Sequence, residues 1–185
     1  MTTIDNLWFR ADEAGRRAER AYQRLRDRYD DFLERERYRT VSRGRFRTLV
    51  GRIEDSGAPY GAHTIVYRPS GELLLVRHEG VDLWVLPGGE VGEDEAFQRA
   101  AVRELAEEAG VDAEYEGLGI LTRVRIACDG YETWGVLPVF SARALTTETR
   151  IADPDEEISA ARWFSELPPD TRDREDLLAW RERAL

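Results

Sequence analysis

The feature that most constrains this chain is a glycine turn followed by a short glutamate-rich segment, between residues 87 and 111. The turn, Pro87-Gly88-Gly89, comes directly after an apolar run at positions 83–86. A helical pattern is predicted to begin near Asp94 and to stop at Gly110, because glycine commonly follows the last residue of a helix. The segment therefore predicts a strand, a tight turn and one amphipathic helix in succession.

Three glutamates lie together on one side of this predicted helix, beside its apolar stripe. Glu104, Glu107 and Glu108 are separated by one to four positions, which keeps them within about a 100° arc. Like charges at such spacings cost about 0.2–0.5 kcal/mol per pair, and acids near a helix C-terminus oppose the macrodipole. A fold keeps such a cluster if the face is fully solvated or if a cation neutralises it. Three carboxylates suit Mg²⁺ or Mn²⁺, but spacing alone leaves both interpretations open.

The order of residues in this segment resembles the Nudix box at every defining position. Gly89 is followed after five residues by Glu95, and seven residues later by a run that contains the three glutamates. That run is Arg103-Glu104-Leu105, then Glu107-Glu108, then Gly110-Val111. The resemblance implies a pyrophosphohydrolase that uses Mg²⁺ or Mn²⁺ to cut a nucleoside diphosphate linked to another moiety.

The resemblance also implies roles for individual residues. Arg103 and Glu95 are implied to orient the helix, and Glu104 is expected to accept a proton from the attacking water. The implied catalytic residues are Glu104, Arg103 and Glu107. The implied metal ligands are Glu104, Glu107, Glu108 and the backbone carbonyl of Gly88.

Outside the box, three side chains are candidates for contact with substrate. Arg77 precedes the loop that leads into the box and could bind a phosphate through two hydrogen bonds, or lie on a solvated face. Trp84 could stack on a base, although a tryptophan in the core is the commoner outcome. Glu157, or its neighbour Glu156, lies in an acidic loop before Trp163-Phe164. In Nudix proteins such a late loop often adds an acid to the metal site, and the alternative is an exposed acidic loop.

The rest of the chain after residue 60 has the pattern of a sheet with helices on it. A Pro69-Ser70-Gly71 turn indicates a hairpin, and an Asp129-Gly130 turn indicates another. We therefore predict an α+β fold arranged as an α/β/α sandwich, and the Nudix resemblance implies the same mixed β-sheet between helices. The predicted strands are 62–68, 72–78, 83–86, 118–127, 132–143 and 158–164, and the last predicted helix is 170–185.

The first quarter of the chain is predicted to be helical, from residue 1 to about residue 45. Its stripe of mostly alanine residues favours close packing over a free coiled coil. This arm could pack on its own domain, pack on a second copy in a homodimer, or reach over the active site. The basic cluster at 43–47 is expected to be a solvated linker or a strand edge, with contact to phosphate as the alternative. We divide the chain into an N-terminal helical extension and linker, 1–57, and a Nudix hydrolase domain with a C-terminal helix, 58–185.

The charge of the chain limits its partners and suggests its surroundings. All 27 basic residues are arginine, and the net charge is −10. This balance suggests a halophilic cytoplasm, although a GC-rich genome also favours arginine. It argues against general nucleic-acid binding. A single cysteine, Cys128, fits a reducing cytoplasm, and no run approaches the ~20 apolar residues of a membrane span.

The substrate within this class stays open in the sequence. The proline that ADP-ribose-cleaving members carry shortly beyond the box is absent between positions 112 and 137. A nucleoside triphosphate, ADP-ribose and a nucleotide sugar therefore remain alternatives. A catalytically silent Nudix-like nucleotide-binding regulatory module is the rival from another class, but such modules usually lose a box carboxylate. His63 and His78 have no partner at ligand spacing, and Cys128 has no catalytic pattern around it.

Overall fold

A computed structural model describes residues 6–185 of this chain. Four helices and eight strands follow one another along it. In chain order they are α1 (Leu7–Arg28), β1 (Leu33–Thr40), α2 (Arg43–Ser56), β2 (Ala62–Tyr67), β3 (Leu73–His78), β4 (Leu83–Val85), β5 (Gly88–Gly89), α3 (Phe97–Glu108), β6 (Ala113–Cys128), β7 (Tyr131–Ala144), β8 (Ile158–Phe164) and α4 (Arg174–Ala184).

The strands form one mixed sheet. Its order is β1-β6-β7-β2-β3-β4, with β5 paired to β2 and β8 paired to β3. The pairs β1–β6 and β7–β2 are parallel, and the other pairs are antiparallel. A mixed sheet with helices is the architecture predicted from the sequence, so the α+β fold class is confirmed.

Helices α3 and α4 cover opposite faces of the sheet. Neighbouring residues on a strand point to opposite faces, and Ile65 and Val66 on β2 show this division. Ile65 packs in the core formed with Leu177 of α4, whereas Val66 packs in the core formed with Leu105 of α3. The box helix therefore shares one face of the sheet with α1, and the C-terminal helix covers the other face.

The predicted helix from residue 1 to about residue 45 is wrong for its second half. Residues 1–5 lie outside the described part of the chain, and α1 ends at Arg28. The segment that follows is strand β1, which runs parallel to β6 from the pair Leu33–Ile120 to the pair Thr40–Ala127. Its alternating glutamates and arginines have no apolar period that requires a strand. Pairing with the edge of β6 decides its conformation, because strand preference depends on context.

The predicted linker at 43–47 is also wrong, because it opens helix α2. The Ser42 hydroxyl caps this helix by accepting a hydrogen bond from the Arg45 amide at 3.2 Å. Its apolar residues recur at helical spacing and are fully buried, a signal that was present in the sequence. They are Phe46, Leu49, Val50 and Ile53.

Helix α1 packs closely on its own domain through the predicted alanine stripe. Ala14, Ala18 and Ala21 are completely buried. Gly15 faces Trp134, and a Cβ there would lie 3.7 Å from the indole ring. Small side chains let the helix axis approach β7 closely. The boundary between residues 57 and 58 stays a prediction, since β1 belongs to the same sheet as the later strands.

Two predicted helix starts lie too early, and β6 begins five residues before its predicted start, at Ala113. The box helix begins at Phe97, because Asp94 has a left-handed backbone with φ of 60°. The last helix begins at Arg174, because the residues before it pair with β4: Trp84 donates its amide to the Asp170 carbonyl at 3.1 Å. Among the described residues, no helix combines the length and apolar character needed to cross a bilayer.

Candidate active site

The backbone of the glycine turn packs directly against the backbone at the start of strand β2. Gly61 has φ of +82°, and a Cβ there would lie 1.7 Å from the Gly89 carbonyl oxygen. Gly88 pairs with His63, and its own Cβ would lie 2.5 Å from the Ala62 carbonyl oxygen. The two paired backbone segments thus approach so closely at this contact, the Gly61–Gly89 crossing, that only glycine fits. On the other side of the turn, a Cβ on Gly89 would lie 2.7 Å from the Glu104 carboxylate.

Glu108 is the most deeply placed carboxylate of the box helix. Its side chain is held under the turn, where its Oε2 accepts a hydrogen bond from the Gly88 amide at 2.8 Å. Burial raises the pKa of Glu108 to about 8, and the negative charges of Glu104, Asp153 and Glu157 act in the same direction. The Gly88 bond favours the ionised form but does not offset the burial.

Arg103 ties the box helix to the loop before it. Its Nε and Nη2 donate to the two carboxylate oxygens of Glu95, both at 3.1 Å. Nη2 also donates to the Glu90 carbonyl at 2.9 Å, and Nη1 donates to Oε1 of Glu104 at 2.6 Å. The hydrogen bonds from Arg103, and a further one from the Gly92 amide, lower the pKa of Glu95. A single guanidinium therefore fixes the loop and one box carboxylate together.

Glu104 and Glu107 differ in their surroundings. Burial raises the pKa of Glu104, with the charges of Glu107 and Asp155 adding to the shift and Arg103 opposing it. Glu107 is more exposed, and its Oε2 lies 3.7 Å from Nη1 of Arg103. The box helix thus carries two buried carboxylates with raised pKa values, Glu104 and Glu108, and a more exposed third one, Glu107.

An acidic loop before β8 approaches the box helix. The Asp153 carboxylate organises this loop by accepting hydrogen bonds from the amides of Asp155 (3.1 Å), Glu157 (2.7 Å) and Ile158 (3.0 Å). The charges of Asp153 and Glu157 act on Glu108, and that of Asp155 acts on Glu104. Sequence reasoning named only Glu156 and Glu157 in this loop. An aspartate shortly before a strand, which can accept several amides, is the signal that it missed.

Arg77 and Trp84 are not brought to the box carboxylates. They are cross-strand neighbours on β3 and β4, and Trp84 packs in the core that α4 covers. Arg77 donates from Nη1 to Asp170 at 2.6 Å and also pairs with Asp82. Trp84 meets Phe164 edge to face, with ring centroids 4.8 Å apart. Both side chains already have partners on the far face, and this arrangement does not support the substrate contact predicted for them.

The box carboxylates suit a hard divalent cation in their chemistry. Within residues 6–185, no three His, Cys, Asp or Glu side chains stand close enough together to hold a metal ion as they are placed. However, Glu104 and Glu108 both have raised pKa values that a nearby cation would lower. All available donors are oxygen atoms, which fits Mg²⁺ or Mn²⁺. The candidate ligands remain the carboxylates of Glu104, Glu107 and Glu108 and the carbonyl of Gly88.

The surroundings of the two histidines and the cysteine do not favour a catalytic role. Burial disfavours the charged forms of His63 and Cys128, and His78 contacts an acidic side chain. Burial, together with the charge of Arg172, lowers the pKa of His63 to about 4. His78 contacts Glu157, with Nε2 and Oε2 3.3 Å apart. Cys128 is buried at the end of β6, and burial raises the pKa of its thiol. A protonated, buried thiol is a poor nucleophile.

The sequence of the chain matches the NUDIX domain family over residues 58–180. The match covers more than half of the chain and includes the whole glycine turn and box helix. The chain belongs to the Nudix hydrolase family. The N-terminal segment that contains α1, β1 and α2 lies outside the range that the Nudix family matches.

Individual Nudix relatives resemble parts of this chain. A protein of Bacillus subtilis (strain 168), named for 8-oxo-dGTP diphosphatase activity, is 38% identical over 90 residues, which are 48% of this chain and 60% of that protein. This chain thus spans less than two thirds of that relative.

Two solved structures cover a larger share. The MutT Nudix hydrolase of Burkholderia pseudomallei is 28% identical, with a TM-score of 0.48, over 68% of this chain and 96% of its own. An ADP-ribose pyrophosphatase of Streptococcus suis is 23% identical, with a TM-score of 0.49, over 66% and 89%.

Proposed function

We propose that this chain is a Mg²⁺- or Mn²⁺-dependent pyrophosphohydrolase that cleaves the diphosphate bond of a nucleoside diphosphate linked to another moiety. The observation that carries the proposal is the seating of two box carboxylates around the glycine turn. Glu108 accepts the Gly88 amide from below the turn, and Glu104 lies where a side chain on Gly89 would be. Both carboxylates have raised pKa values. Carboxylates with raised pKa values are typical of sites that bind a cation or accept a proton.

The residues of the site divide the chemical work between them. A divalent ion bound at this site would neutralise negative charge on the diphosphate and lower the pKa of a water molecule. Glu104 is the proposed general base, because burial moves its pKa up from its ordinary value toward the working pH. Arg103 holds the Glu104 carboxylate in one orientation through the 2.6 Å bond. Glu108 stays beneath the turn, where it fixes the position of Gly88.

A nucleoside triphosphate is the first substrate to test, with ADP-ribose and nucleotide sugars after it. The order rests on the B. subtilis relative, which is named for 8-oxo-dGTP diphosphatase activity. With a net charge of −10, the chain needs bound cations and local arginines to attract a polyphosphate. The single buried cysteine is consistent with work in a reducing cytoplasm.

A substrate panel tests this proposal. Purified protein is incubated with dGTP, 8-oxo-dGTP, ADP-ribose, a dinucleoside polyphosphate and a nucleotide sugar, each with Mg²⁺, with Mn²⁺ or with EDTA. We expect at least one substrate to release a nucleoside monophosphate with either metal and none to react with EDTA. Binding of a nucleotide without turnover of any substrate would contradict the proposal and favour the regulatory module.

A further inference from the structure

We propose that Arg52 of helix α2 is a positioning residue for the box, because it joins the two chain segments that cross at Gly61 and Gly89. Arg52 belongs to the N-terminal segment, which lies outside the region that matches the Nudix family. The kinetic part of this inference rests on the proposed function, while its structural part does not.

The contacts of Arg52 reach both sides of the crossing. Its guanidinium forms an ion pair with the carboxylate of Glu90, one residue after the glycine turn. The same guanidinium donates from Nη1 to the carbonyl of Pro59 at 3.4 Å, two residues before Gly61. At the crossing itself the backbones touch, since a Cβ on Gly61 would lie 1.7 Å from the Gly89 carbonyl oxygen. Arg52 therefore spans the place where β2 and the turn are held together.

The contact continues from Glu90 into the catalytic residues. The Glu90 carbonyl accepts a hydrogen bond from Nη2 of Arg103 at 2.9 Å, and Nη1 of Arg103 donates to Glu104 at 2.6 Å. Glu90 is thus held by Arg52 through its side chain and by Arg103 through its backbone. A shift of Glu90 moves the partner of Arg103, and through Arg103 it moves the proposed general base.

The N-terminal segment touches the box helix at a second point. The Tyr29 hydroxyl donates to Oε1 of Gln98 at 3.1 Å, in the first turn of α3. The core beneath this contact contains Leu25 of α1 together with Ala100 and Ala101 of α3. Arg52 and Tyr29 therefore contact the box before and after the start of its helix, which makes the N-terminal segment a support for the box.

The solvent exposure of the Arg52–Glu90 ion pair makes its effect on catalysis distinguishable from an effect on folding stability. The Arg52 side chain is 34% exposed and the Glu90 side chain is 63% exposed. An ion pair so open to solvent adds little to the stability of a fold. Its loss is therefore expected to affect the geometry of the box more than the melting temperature.

A matched control is available in a second arginine–glutamate pair, which joins helix α1 to helix α2. Arg10 of α1 donates from Nε to Oε1 of Glu54 on α2 at 3.1 Å, and this pair does not touch the box. We compare Arg52→Ala with Arg10→Ala, using the best substrate of the panel and Mg²⁺. We expect Arg52→Ala to lower kcat about tenfold and to change KM less than twofold. The fall in kcat is smaller than the ~100-fold cost of a 1 Å misplacement, because Arg52 acts through Glu90 and Arg103. We expect Arg10→Ala to leave kcat unchanged and to lower the melting temperature at least as much.

A charge swap tests the pair directly. Arg52→Glu and Glu90→Arg are each expected to lower kcat, and the double variant Arg52→Glu/Glu90→Arg is expected to recover at least half of the wild-type kcat. Melting temperatures are measured on the same variants, and a recovery of kcat without a matching recovery of the melting temperature separates positioning from folding stability. Equal kcat losses in Arg52→Ala and Arg10→Ala, or no recovery in a folded double variant, would overturn the proposal.

Hydrogen exchange gives a readout that needs no substrate. In Arg52→Ala, backbone amides of residues 88–96 are expected to exchange faster than in wild type, with the remaining strands unchanged. Unchanged exchange in this segment would overturn the proposal even if an activity is found. If the wild type turns over no substrate, the proposed function fails, and the exchange experiment still decides whether Arg52 positions the box.

Discussion

The backbone amide of Gly88 donates a 2.8 Å hydrogen bond to the carboxylate of Glu108, twenty residues further along the chain. The bond closes the glycine turn onto the last turn of the box helix. It favours an ionised Glu108, yet burial and neighbouring acids dominate and raise the pKa of this carboxyl to about 8. Near neutral pH, the charge of Glu108 therefore depends on whether a cation is bound.

The metal-free protein should lose stability as the pH rises from about 5 to about 8. The folded pKa of Glu108, about 8, lies above the ordinary value of about 4.3, so folding favours the protonated form. The stability from this proton is complete below the ordinary pKa and is lost as the pH rises through the folded pKa. We expect the melting temperature in EDTA to fall between about pH 5 and pH 8 and to level off above the folded pKa. Thermal unfolding at several pH values in this window measures it.

The same series with variants assigns the effect to Glu108. Glu108→Gln keeps an acceptor for the Gly88 amide but does not titrate, so its melting temperature should change less over this window. Glu93 is exposed and lies in the loop between β5 and α3, so the melting temperature of Glu93→Gln should follow that of wild type. Saturating Mg²⁺ should also flatten the wild-type curve, because a bound cation keeps the carboxylate ionised. Identical curves for wild type and Glu108→Gln would refute the assignment.

Replacing the proposed general base should abolish most of the activity without unfolding the protein. Glu104→Gln keeps the size of the side chain and an oxygen that can accept from Arg103. We expect kcat to fall by at least about two orders of magnitude, the usual scale for a general base, in Glu104→Gln and also in Glu108→Gln. Steady-state kinetics with the best substrate of the panel measure this, with Glu93→Gln as the control. Near-wild-type turnover in both variants would exclude these roles.

The backbone crossing at Gly61 should not tolerate a side chain. Gly61→Ala adds a strained left-handed residue and a Cβ placed 1.7 Å from the Gly89 carbonyl oxygen. Gly71 is the matched control, because its φ of +88° is similar and a Cβ there meets nothing within 4 Å. Gly71→Ala should cost about 1–2 kcal/mol for the backbone alone. Gly61→Ala should cost clearly more, as measured by urea unfolding, and equal costs would mean that the crossing relaxes easily.

Salt should stabilise this chain. The net charge is −10 and every basic residue is arginine, so repulsion between acids outweighs attraction across the surface. The Debye length falls from ~10 Å at 0.1 M to ~3 Å at 1 M, which relieves that repulsion. We expect the melting temperature to rise in molar KCl and to rise further with millimolar Mg²⁺. The Mg²⁺ increment should disappear in a triple Gln variant of Glu104, Glu107 and Glu108. A melting temperature independent of KCl would contradict the halophilic interpretation.

The sequence by itself determined the turn and helix that carry the chemistry. Gly89 lies in the glycine turn, and Glu104 and Glu108 lie on the 12-residue helix that follows it. Their order and spacing are therefore set by local geometry. Local geometry is encoded in spacing, so the box and the alternation of buried residues in the second half of β6 could be read directly. The helix α2 was also encoded, in its apolar period, but its basic residues concealed it.

Only the tertiary structure decided which distant groups join the box. Strand β1 has no strand pattern of its own and takes its conformation from the edge of β6. Arg77 lies on the far face of the sheet beside its cross-strand partner Trp84, because the adjacent Val76 packs in the core under α3. The approach of Asp155 to Glu104 and of Arg52 to Glu90 depends on how separate segments pack. Contacts between segments far apart in the chain are set by which sheet edges and faces remain to be covered, and no local spacing records that.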